Sequence, residues 1–232
     1  MAANSSINEL WPATRAFAFP DLLAVVAVLA LIATIVVSLL AHATDGRQKA
    51  RCVANLQQIT PALLSYSEDN AGKLPDADPG LKGPVWWWYK EQVKAHLGLR
   101  GASSPSDKVF GCPADRGYHD GKPFRLSAKF DYGSYAFNGV NLSGMPNVAG
   151  RAVNSIKEPG RTLLLMEWTA HAPLSWHKSK TGSKNSPFYC DAKSVVAFVD
   201  GHVSFIPIYY DGYNAAYTQD PIAGYDYQYS AK

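Results

Sequence analysis

Leu22 to Ala41 reads LLAVVAVLALIATIVVSLLA, twenty residues without a charged side chain. At about 1.5 Å per residue, such a run spans roughly 30 Å as a helix, the thickness of a bilayer's hydrocarbon core. A buried core helix is one alternative, but such helices rarely stay apolar on every face for this length. A cleavable secretory signal is another, and Ala41-His42-Ala43 fits its small-x-small cleavage site. Against it, Arg15 is the single basic side chain before the run and is offset by Glu9. The run also exceeds the roughly 7–15 apolar residues of a signal core. The expectation is a retained membrane-spanning helix over residues 17–43, with residues 44–232 forming one globular domain.

Working outward, the remainder is long enough to bury a core of its own. The formal net charge of the 232 residues is +3, with no Lys/Arg-rich run, which argues against nucleic acid as a partner. Thirteen Tyr and six Trp, many of them among Gly, Asn, Ser and Pro, point to strands and ordered loops. Val53, Leu56, Ile59, Leu63 and Tyr66 recur at three- and four-residue steps, the stripe of an amphipathic helix. The anchor and this stripe can form one helix from Pro20 to Ala71, kinked at Pro61 and capped by Gly72. A shorter helix is expected over Trp86 to Leu97. Its cluster Trp86-Trp87-Trp88-Tyr89 cannot face inward as a whole; packing under a loop is favoured over a glycan or partner surface.

Residues 161–168 (RTLLLMEW) and 194–199 (SVVAFV) read as strands. Asp200-Gly201 between the second of these and 202–206 (HVSFI) is a strong hairpin signal. Thr169 to Asp191 is a long polar excursion, and the tail from Tyr209 shows no usable periodicity. The fold class is therefore α+β: a long N-terminal helix, transmembrane then amphipathic, on a small antiparallel sheet with a loop-rich C-terminal region.

The chemistry-bearing residues are sparse. Asp200-Gly201-His202, Asp115, His119 and Asp120 invite a catalytic reading, yet no nucleophile elbow, metalloprotease helix motif or phosphate loop accompanies them. The expectation is that the chain is not an enzyme. Asp211, Asp220 and Asp226 are weak calcium candidates in loop-like sequence, without EF-hand spacing; otherwise no cofactor is expected. Cys52, Cys112 and Cys190 lack the paired spacing of a structural zinc site. Two readings stay open: one disulfide plus a free thiol, with Cys52 and Cys112 the candidate pair, or three separate buried thiols.

The N-terminal stretch Arg15-Ala16-Phe17-Ala18-Phe19-Pro20-Asp21-Leu22-Leu23 resembles type IV pilin-like proteins and pseudopilins. Arg51-Cys52-Val53-Ala54-Asn55-Leu56 with Tyr66 to Pro75, Cys112-Pro113-Ala114-Asp115, Ser134-Tyr135-Ala136-Phe137-Asn138 and Phe198-Val199-Asp200-Gly201-His202-Val203 are similar, in order, to motifs of bacterial prepilin-like proteins. Two residues depart from the usual pattern: Ala16 replaces Gly and Asp21 replaces Glu. Where the group often has His ten residues before the Asp of its DG box, this chain has Cys190, with His177 further upstream.

The resemblance implies a leader over residues 1–16, cut by a prepilin peptidase between Ala16 and Phe17, methylation of Phe17 and an assembly role for Asp21. It implies a subunit of a type IV pilus-like filament or type II secretion pseudopilus, in contact with other pilin-like subunits. The chain would pass once through a bacterial inner membrane, its domain in the periplasm or at the cell surface. Arg47, Lys49 and Arg51 alone would orient the domain toward the cytoplasm, and the resemblance implies the reverse. The competing class is a solitary membrane-anchored extracytoplasmic binding protein.

Overall fold

A computed structural model describes residues 19–118, 121–140, 142–171, 174–177, 192–209 and 216–232. Ala16, Phe17, His119, Asp120, Cys190 and Asp211 lie outside the described residues. The chain divides into two compact units, Met1–Ala43 and Thr44–Lys232, and helix α1 (Phe19–Asp69) contributes to both. In the first unit every described side chain of α1 is exposed, and from Leu22 to Ala41 none of them is charged. In the second, α1 buries Cys52, Asn55, Leu56, Ile59, Ala62 and Leu63 along one face. Each large apolar side chain on that stripe contributes about 1.5–3 kcal/mol by leaving water.

Pro61 lies inside α1, and helix continues to Asp69 beyond it. Proline deprives the Gln57 carbonyl of its donor, but Gln57 and Pro61 both sit on the exposed face, where water can serve instead. The cap uses the expected Gly72 together with the residue before it. The Gly72 N–H bonds the Ser67 carbonyl at 2.7 Å, closing a Schellman turn, and both Ala71 (φ 55°) and Gly72 (φ 77°) are left-handed.

Four antiparallel strands form a meander in the order β1 (Tyr135–Phe137), β2 (Leu163–Glu167), β3 (Lys193–Phe198) and β4 (Val203–Pro207). The expected Asp200-Gly201 hairpin joins β3 to β4, with Gly201 at φ 96°. Strand β1 went unread in the sequence because all three of its residues are buried and so show no alternation. One face of the sheet packs on α1 through Tyr135, Phe137, Leu165, Val195 and Ala197. The tail covers the other: Ile222, Tyr227 and Tyr229 meet Ala136, Leu163, Met166, Val196 and Phe198. The inner strand β2 is thus buried on both sides, which explains why it reads as an unbroken apolar run ending in a buried Glu167. A register shift between Leu163 and Leu165 puts Leu164 and Leu165 both on the helix side, Met166 on the tail side and Glu167 among the helix-side groups.

Helix α2 (Val85–Val93) runs into a 3-10 turn over Lys94–Leu97 that ends at Gly98, close to the expected span. Trp87 and Tyr89 are buried. Trp87 lies 4.3–5.4 Å, ring to ring, from Trp168, Phe130 and Phe124. Trp86 and Trp88 are half-buried.

Candidate functional site

The first candidate is the apolar part of α1. Among the described residues, α1 is the one helix long and apolar enough to cross a membrane. Its length and composition are compatible with a single span, and none of the apolar window is buried by the rest of the chain. A core helix would have packed at least one face. Pro20 and Asp21 lie in its first turn, where a fixed φ and a carboxylate both suit the helix's positive end.

The second candidate lies inside the globular unit. Four side chains converge there: Cys52 from α1, Cys112 from the Cys-Pro turn after Phe110, Glu167 from the end of β2, and His177. One ligand-type atom from each lies within 4.8 Å of the others, and all four residues are buried. Cys52 and Cys112 form a disulfide with Cα atoms 5.1 Å apart, across a sequence separation of 60. Cys112 Sγ is 3.4 Å from Glu167 Oε1 and 3.8 Å from His177 Nε2, while Glu167 Oε1 and His177 Nε2 are 2.7 Å apart. The second Glu167 oxygen accepts the Val195 N–H at 2.8 Å, which fixes the carboxyl plane against β3. Burial, and then the Glu167 carboxylate, push the Tyr135 hydroxyl well above its ordinary range.

The residues that carry the resemblance support this centre. Asp115 is buried; its carboxylate accepts N–H groups from Gly117, Phe124 and Arg125 at 2.8–3.2 Å and the Ser134 hydroxyl at 2.7 Å. Ser134 Oγ in turn accepts the Cys112 N–H at 3.0 Å. Asn55 Nδ2 donates to the Gly111 carbonyl and to Tyr135 Oη, each at 3.0 Å. Asn138 Nδ2 ties the Leu163 carbonyl to that of Tyr229. Asp115 is thus occupied by four donors that fold the loop around Cys112.

The remaining candidates scatter. Asp200 and His202 belong to the exposed hairpin: His202 Nδ1 meets Asp200 Oδ1 at 2.7 Å, and its ring stacks on Phe198 at 4.1 Å. Asp220 accepts the Tyr229 and Ser230 N–H groups at 2.7 and 3.1 Å, and the exposed Asp226 pairs with Arg161 at 3.0 Å. Those two carboxylates therefore already serve protein donors.

A charged cluster that sequence reading missed lies under α2. Lys90 Nζ bonds Asp107 Oδ2 at 2.8 Å and the Asp131 carbonyl at 3.0 Å. Glu91 accepts from Lys94 at 2.6 Å and from Ser103 at 2.5 Å. Burial pushes the Asp131 carboxyl up to about 7; Lys90 opposes the shift and Glu91 adds to it. Glu91, Ser103 and Asp131 line a cleft of about 300 Å³ beside Trp88 and Tyr132. These groups lie far apart in sequence, and no local pattern links them. Glu167 carried the one available signal, a carboxylate inside an apolar strand; His177 was visible only through the resemblance. Comparison with protein-family models, curated proteins and solved structures yields no match in any of the three.

Proposed function

We propose that this chain is a structural subunit of a type IV pilus-like filament or type II secretion pseudopilus, cut by a prepilin peptidase between Ala16 and Phe17. The observation that carries the reading is α1 itself. One helix is charge-free and exposed from Leu22 to Ala41, and then buries a stripe against a small antiparallel sheet. A helix apolar on all sides needs lipid or other such helices around it, and a filament core supplies the second. Cleavage would create an amino group at Phe17, methylated in the mature chain. Asp21 of a neighbouring copy would neutralise it, since two unpaired charges in hydrocarbon are each costly. That pairing would set the axial register.

On this reading the domain lies outside a bacterial inner membrane. The basic residues after the span argue the other way, but Lys49 lies 4.9 Å from the centre of the Phe205 ring and so has a place within the folded unit. Mass spectrometry of the mature N-terminus tests the reading. N-methylated Phe17 is expected, and a terminus at Met1 or Thr44 overturns it.

A solitary anchored binding protein is the second reading. The cleft beside Trp88, with an aromatic wall and two carboxylates, favours it as a glycan or partner site. A photo-crosslinker at Leu29 separates the two: adducts between copies support assembly, and their absence in native membranes supports the solitary protein.

A further inference from the structure

We infer that Cys52, Cys112, Glu167 and His177 form a tetrahedral site for zinc(II) when the two cysteines are thiols. A disulfide alone does not account for its surroundings. It is apolar and needs no polar neighbours, yet here a carboxyl and an imidazole are buried against it. Burying such groups is costly unless every polar atom is satisfied. Here the carboxyl and the imidazole meet at 2.7 Å through the same two atoms, Glu167 Oε1 and His177 Nε2, that lie against the Cys112 sulfur.

The donor set fits zinc, and the sulfur distances approach those of a tetrahedral site, while the 2.7 Å Glu167–His177 contact would open by about 0.6 Å. Two thiolates, an imidazole nitrogen and a carboxylate oxygen are all ligand types that zinc takes at about 2.0–2.3 Å. A tetrahedron of that size sets sulfur atoms about 3.8 Å apart and sulfur to oxygen or nitrogen at roughly 3.5 Å. Cys112 Sγ already lies 3.4 Å from Glu167 Oε1 and 3.8 Å from His177 Nε2. With the Cα atoms 5.1 Å apart, separating the sulfurs requires side-chain rotation within the present backbone. The Val195 N–H on Glu167 Oε2 leaves Oε1 directed at the site, the outer support expected of a carboxylate ligand.

The ligands come from α1, the Cys-Pro turn, β2 and the segment 174–177, so one ion would tie together four elements, of which the disulfide joins two. Binding forms two Zn–S bonds, one Zn–N bond and one Zn–O bond. The two thiol protons leave to solvent, and the imidazole carries its proton on Nδ1. The S–S bond and the metal exclude each other, because each sulfur can be thiolate or disulfide but not both. The site therefore belongs to the chain before oxidation, and its existence does not depend on the assembly reading.

The test uses the full chain, synthesised cell-free in detergent with a phosphine reductant and either zinc(II) or cobalt(II), then gel-filtered without oxygen. The phosphine keeps the cysteines reduced by taking an oxygen from water as each disulfide gives two thiols. One metal ion per chain is expected, with thiolate-to-cobalt charge-transfer absorption in the cobalt form and no metal on the oxidised chain. Glu167→Gln and His177→Ala, each checked for native circular dichroism, should bind cobalt at least tenfold more weakly. Reduced chain that leaves the column without metal overturns the inference. So does metal retained equally by both variants, which would mark an adventitious two-thiolate site, and so does a reduced chain that aggregates with zinc present.

Discussion

The two halves of α1 share one backbone conformation and almost nothing else. From Leu22 to Ala41 no side chain is charged and none is buried. From Thr44 to Asp69 polar and apolar residues alternate with helical period, and Cys52, Leu56, Ile59 and Leu63 are fully buried. The contrast shows that helix is the cheap part of the specification. What distinguishes the halves is the medium each requires: hydrocarbon all round for one, a protein core on a single side for the other.

The largest effect that would sharpen this contrast lies on the second half. Replacing Cys52 and Cys112 together by Ala removes a cross-link over 60 residues and should lower the stability of the oxidised domain by about 4 kcal/mol in urea unfolding. Next comes a matched pair. Leu56→Ala opens a cavity in the core and should cost about 3 kcal/mol, whereas Leu29→Ala should leave the domain's unfolding midpoint unchanged. Conversely, Leu31→Arg should raise the cost of membrane insertion by about 3 kcal/mol in a glycosylation-reporter assay without moving that midpoint. If Leu29→Ala destabilised the domain as much as Leu56→Ala, the division of labour within α1 would be wrong.

A smaller effect is set by pH. Asp131 titrates near 7 in the fold and near about 4 when unfolded, so the folded state holds the extra proton between those values. Stability is then greatest below about pH 4 as far as this group is concerned. It falls as pH rises through 7, by on the order of 2 kcal/mol once solvent screening of this partly exposed cluster halves the full linkage value. Asp131→Asn, which suits the residue's left-handed φ of 49°, should flatten that fall in denaturation curves taken at pH 5 and 8. The smallest effect is at the end of α1. Ala71→Gly relieves a left-handed alanine but frees the unfolded chain, for a net gain of about 0.5 kcal/mol in thermal unfolding.

Much of this fold was legible because it rests on local patterns. The charge-free run, the three-four stripe from Val53 to Tyr66, the Asp200-Gly201 turn and the two β-rich runs each carry their own signal within a single short stretch of chain. Parts of the site were legible too: Cys52 and Cys112 could be named as a candidate pair, and Asp115, Ser134 and Asn138 fell within motifs before their hydrogen bonds gave them a structural purpose. The short strand β1 was not legible, since a three-residue strand buried on both faces has no alternation to read.

By itself, then, the sequence determined where lipid-compatible helix ends and amphipathic helix begins, and where three of the four strands lie. Periodicity and charge act on neighbouring residues and need no partner to be read. Tertiary structure alone decided the rest. The aperiodic tail closes the second face of the sheet through Ile222, Tyr227 and Tyr229, and Glu167 and His177 are drawn to the Cys52–Cys112 pair. Those contacts join residues tens of positions apart. They are selected by which surfaces remain to be covered once the helix and sheet have packed, and no local pattern encodes that.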